Sequence, residues 1–141
     1  MNLLKLFSLA TSLLLFSQMA FAIQPAPKEC PSLSKIKQGD FRTFLLGHSE
    51  KLDESMYQIY QINNFDTPQT WLFLTLAPGQ TPAQAISFTI TRLDTLNTPN
   101  PRLRHGVWEC GYDDDTGAIT IADDKGGFVA PSPEQAMSLL K

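Results

Sequence analysis

The sequence predicts an α+β fold: an antiparallel sheet of about five strands, one main helix packed on a face, and a single disulfide. Three observations carry that expectation. Short runs rich in aromatic and aliphatic residues succeed one another through brief loops, as strands of an antiparallel sheet do. A longer segment opening at Thr81 keeps apolar residues at helical spacing. Two cysteines, Cys30 and Cys110, stand in a chain that begins like an exported one, where pairing is the expected state.

The first segment, "MNLLKLFSLATSLLLFSQMAFA", has an early positive charge at Lys5, a Leu/Phe-rich run and the ending Ala20-Phe21-Ala22. That is the pattern of a signal peptide over 1–22, with cleavage expected after Ala22. Ser8, Thr11, Ser12, Ser17 and Gln18 interrupt the run, which falls short of the roughly 20 predominantly apolar residues of a bilayer span. Cys30 follows Lys28-Glu29, not the small residues that precede a lipidated cysteine. The expectation is an exported protein, periplasmic or secreted, with no membrane anchor after cleavage. The remainder, 23–141, is enough for one α+β domain and too little for two. Without Lys5 its charge is mildly acidic, which argues against nucleic acid and anionic membrane surfaces as partners.

"IQPAPKECP" reads as a loose proline-rich start. Pro31 suits the first position of a short helix over "PSLSKIKQ", with Leu33 and Ile36 as its buried face and Gly39 as its end. "FRTFLLG" (41–47), "MYQIYQI" (56–62) and "TWLFLTLA" (70–77) are the first three strands, the third apolar enough to be buried on both faces. "HSEKLDES" reads as the loop between the first two. Thr81-Pro82-Ala83-Gln84 is a capping box, and Ala83, Ile86, Ile90 and Leu93 line one face of the helix it opens. "ISFTIT" also alternates as a strand would, but the cap and the longer helical pattern favour helix. "GVWECGY" (106–112) and "AITIAD" (118–123) are two further strands joined through the acidic turn "DDDTG". Ser132-Pro133-Glu134-Gln135 is a second capping box, opening a terminal helix with Ala136, Leu139 and Leu140 on its apolar face.

A Cys30–Cys110 bond closes a loop of 80 positions, for which chain entropy gives roughly 4–5 kcal/mol at most. With both thiols taken and no G-x-S-x-G motif, nucleophilic catalysis has no visible support, and a non-enzymatic protein is expected. Two distant histidines and no H-x-x-x-H make zinc improbable. Counted from Asp113, "DDDTGAITIADD" puts Asp115 and Asp124 at calcium-loop positions 3 and 12, but Gly117 and Ala118 fall at 5 and 6. It reads as a turn, and no metal is expected.

The residues that could carry binding gather in "PRLRHGVWECGY". His105 beside Arg102 and Arg104 combines an axial haem ligand with partners for the propionates. His48 is the second candidate ligand and Tyr112 another, while the bland alternative is a solvated loop patch. A "CPS" helix start, the "TPAQAI" helix and the "VWECGY" strand behind a signal peptide resemble a family of small secreted proteins of unknown function from Legionella-type bacteria. Some members of that family are labelled hemin-binding. The resemblance covers about residues 28–124 and implies secretion, the Cys30–Cys110 bond and haem as a cofactor, while identifying no haem ligand. The leading expectation is therefore a secreted or periplasmic non-enzymatic binding protein, taking haem or a similar planar ligand. The alternative is an extracytoplasmic module that binds a host or envelope protein.

Overall fold

A computed structural model describes residues 24–139. The expected signal peptide and Leu140 lie outside the described residues. Ten elements follow in chain order: α1 (Leu33–Gln38), β1 (Arg42–Ser49), β2 (Glu54–Asn63), β3 (Trp71–Gly79), α2 (Pro82–Leu93), β4 (Arg102–Arg104), β5 (Val107–Asp113), β6 (Thr116–Ala122), β7 (Phe128–Val129) and α3 (Pro133–Leu139). All strand pairs are antiparallel, in the order β1-β2-β3-β6-β5-β4, with β7 on β6. The α+β architecture and the disulfide are as the sequence predicts. The sheet has seven strands rather than about five, because the charged Arg102–Arg104 segment and the short Phe128–Val129 segment also pair.

Helices cover the two faces unequally. On one face, Ile36 of α1 and Leu93 of α2 pack with Trp71, Phe73, Cys110, Tyr112 and Ala118. Ala85 of α2 meets Tyr57, Ile59 and Ala77 beside them. On the opposite face α3 is the only helix among the described residues, and it buries one side chain, Ala136, against Leu72, Leu74, Val107 and Ile119. β3 supplies both clusters, so seven of its nine residues are buried, as the continuous apolar run requires.

Local signals explain the helix ends. Ser32 caps α1, its Oγ accepting from the Lys35 amide, so Pro31 lies before the helix rather than in its first turn. Gly39 ends it where a Cβ would fall 1.7 Å from Gln61 Oε1. Gln61 cannot easily yield, since its Nε2 donates to the Ile36 carbonyl at 2.7 Å. At α2 the Thr81 Oγ1 accepts from the Gln84 amide at 3.2 Å, and Gln84 Oε1 accepts from Gln80 rather than from Thr81. At α3 the box is reciprocal: Ser132 and Gln135 each accept from the other's amide.

The buried face of α2 differs from the expected one. Ala85, Thr89 and Leu93 point inward, while Ala83 and Ile90 are exposed and Ile86 is half-buried. Spacings of four residues bring this set onto one stripe, and Thr89 can join it because its hydroxyl donates to the Ala85 carbonyl at 3.0 Å. "HSEKLDES" is also shorter as a loop than its polarity suggests. His48 and Ser49 belong to β1 and pair with Ser55 and Glu54 of β2.

Candidate functional site

Arg104 and Val107 pair across a two-residue turn, His105-Gly106, in which both residues have positive φ, 51° and 76°. That is the turn whose twist suits a tight hairpin; glycine takes it freely, histidine at a cost. The hairpin tip thus brings Arg102, Arg104 and His105 together, all exposed. The arginines share one face, and Arg104 Nη1 lies 3.7 Å from Glu109 Oε1. Among the described residues, none of four surface cavities of about 280–360 Å³ is lined by Arg102, Arg104 or His105.

The other sequence-derived candidates are elsewhere. His48 sits on β1, the far edge of the sheet, five strand spacings or about 24 Å from β4. Its Nδ1 is 3.0 Å from Ser55 Oγ and its Nε2 is 3.8 Å from Asp53 Oδ1. It lines a shallow cavity with Leu52 and Met56. One ligand cannot bridge the two histidines within a monomer. Tyr112 points into the core on the disulfide side, its ring edge-on to Phe73. Its hydroxyl donates to the Pro31 carbonyl at 2.5 Å, and burial pushes its pKa well above the ordinary tyrosine value. Tyr112 clamps the N-terminal arm and does not face His105.

The acidic turn is also structural. Asp113 Oδ2 accepts from Arg92 Nε at 2.9 Å and lies 2.8 Å from Nη2, so α2 is tied to the β5–β6 turn. Asp115 lies 3.6 Å from the same guanidinium. Beside them a cavity of about 320 Å³ opens over the glycine pair Gly111 and Gly117, floored by Leu74, Leu76 and Ile119 and bounded by Met137. Among the described residues, no group of three or more His, Cys, Asp or Glu could share a metal ion. No helix among them is long and apolar enough to cross a membrane.

Two features have no evident structural partner. The first is β1, an edge strand of eight residues with three consecutive exposed apolar side chains: Phe44 is 59% exposed, Leu45 53% and Leu46 44%. Edge strands are ordinarily blunted by charge, brevity or cover. β4 at the opposite edge follows that rule, being three residues long with two arginines. β1 has a bulge after Leu45, and among the described residues no further strand pairs with its outer edge along Thr43–Leu46.

The second is Gln58 on β2, which is 4% exposed and whose Nε2 has no hydrogen-bond partner; among the described residues Gln61 Oε1, under α1, is the other such atom. Leaving such a donor buried and unmatched costs about 1–3 kcal/mol. Gln58 lines a cavity of about 320 Å³ between β1, β2 and α3, with Phe44, Leu46, Tyr60, Glu134 and Met137 around it. Register explains the grouping, because Phe44 pairs with Gln58 and both face α3. The sequence shows Gln58 only as a polar interruption in an apolar run; nothing in the pattern marks it as buried.

No family model, no curated protein and no solved structure matches this chain.

Proposed function

We propose that this chain is an exported, non-enzymatic binding module that takes an extended segment of a partner protein along β1. One observation carries the reading: an eight-residue edge strand with Phe44, Leu45 and Leu46 exposed side by side. An incoming strand gains main-chain hydrogen bonds from the edge and side-chain contacts from both faces at once, the usual economy of strand addition. The leader-like N-terminus and the Cys30–Cys110 bond support an oxidising, extracytoplasmic location.

The test is selection from a displayed library of random 12-residue peptides against the oxidised protein and Leu45→Lys. A lysine there blunts the edge in the way natural sheets do. Enriched peptides with alternating apolar residues, losing at least tenfold in affinity for Leu45→Lys, are expected. Failure to enrich, or equal binding to the variant, overturns the reading. So does concentration-dependent self-association lost in Leu45→Lys, which would make a second copy the occupant.

Hemin binding at the β4–β5 hairpin is the second reading, favoured by the adjacency of Arg102, Arg104 and the exposed His105. A saturable one-to-one Soret change lost in His105→Ala supports it. An unsaturable signal indifferent to that substitution removes it.

A further inference from the structure

We infer that the cavity between β1, β2 and α3 is the subsite for a tyrosine side chain of the bound strand, its phenol oxygen accepting from the Gln58 amide. The inference rests on the strand-addition reading and adds a specificity to it. Phe44 and Leu46 belong to both features: they are exposed on the edge strand and they wall the cavity. A chain paired outside β1 runs about 4.8 Å from it. Its side chains on the α3 face lean beside Phe44, and an aromatic one is long enough to cross to the next row.

The lining selects the chemistry. At about 320 Å³ the space is at the small end of ligand cavities and suits a single ring. Phe44, Tyr60 and Met137 offer aromatic and sulfur contacts to such a ring. Gln58 Nε2 is unmatched but closed off from the cavity that the side chain lines, and no hydrogen bond holds the amide, so a half-turn about its last torsion presents the NH₂ to an entering acceptor. Glu134 on the same lining disfavours a carboxylate and can itself accept a hydrogen bond. A neutral ring that both accepts and donates meets these conditions; histidine and tyrosine qualify, and the phenol of tyrosine carries its oxygen further from the backbone, as reaching past Phe44 to Gln58 requires. Phenylalanine fits the ring but leaves Gln58 unmatched.

The test uses 4-ethylphenol as the probe and ethylbenzene as its control, with nuclear magnetic resonance of the full oxidised protein. A saturable shift of the Gln58 side-chain amide and the Met137 methyl is expected with 4-ethylphenol. Its affinity should exceed that of ethylbenzene about fivefold, the scale of one neutral hydrogen bond. In Gln58→Met, an apolar change of similar length, the two probes should bind equally. Absence of a saturable shift at Gln58 overturns the inference, as does a phenol advantage that persists in Gln58→Met. Leu45→Lys should leave probe binding unchanged within twofold, because Leu45 does not line the cavity. Loss of peptide binding there with the probe retained therefore separates the edge from the subsite.

Discussion

Replacing both cysteines by alanine should remove a large part of the stability of this fold. Cys30 lies in the N-terminal arm and Cys110 on β5; both are buried in the cluster under α1 and α2. Their bond closes 80 positions, and the loop-entropy relation evaluates to about 4.5 kcal/mol at 25 °C. Two vacated sulfur positions in a buried cluster add a packing cost to that figure. The arm has other ties, since Tyr112 donates to Pro31 and Gln69 Nε2 donates to the Pro25 carbonyl at 2.8 Å. Those ties act only in the folded state and leave the unfolded-state term intact. Urea unfolding of the oxidised protein and of the double variant, followed by the fluorescence of Trp71 and Trp108, measures the difference. A loss of 3–5 kcal/mol is expected. A loss below about 1 kcal/mol would refute the reasoning, because the reduced unfolded chain would then be nearly as restricted as the bridged one.

Further outcomes follow from other contacts. Tyr112 is protonated in the fold beyond the pH at which it ionises in the unfolded chain, because burial raises its pKa. Its contribution is complete below about pH 10 and falls as pH rises above that, by up to about 1.4 kcal/mol per pH unit. Tyr112→Phe should flatten that alkaline slope in urea titrations at pH 9–11, and an unchanged slope would count against the clamp. Gln58→Met should raise stability by about 1–3 kcal/mol by removing an unmatched buried donor; a destabilised variant would mean that the amide is satisfied. His105→Asn, better suited to the left-handed turn position, should raise stability by a few tenths to about 1 kcal/mol, read in urea unfolding; an unchanged or lowered stability would count against strain at this turn. Asp113→Asn should cost about 1–2 kcal/mol by weakening the paired bonds to Arg92, both side chains being largely buried, and salt should relieve little of it.

Much of this fold could be read from local chemistry, and the failures have physical causes. Caps at Ser132 and Thr81 work through their own hydroxyls, so they are visible within four residues. The run at β3 is apolar throughout because both faces of that strand are covered. The buried stripe of α2 was not legible, since Thr89 satisfies its hydroxyl inside the helix and passes as apolar. β4 pairs although "RLR" has no strand composition, because the tight His105-Gly106 turn folds it onto β5. Of the candidate site, Arg102, Arg104 and His105 are neighbours in space because they are neighbours in sequence. Tyr112 lies apart from them, and no local pattern shows its partner, Pro31, 81 residues away. The exposure of β1 depends on which strand ends the sheet, a global property with no local mark.

Amide hydrogen exchange along Thr43–Leu46 tests most directly whether β1 accepts an extended chain. Measured with and without a saturating selected peptide, alternate amides of this segment should become protected while β4 amides stay unchanged. Protection at β4 or at the His105 hairpin with none along β1 would contradict strand addition at this edge.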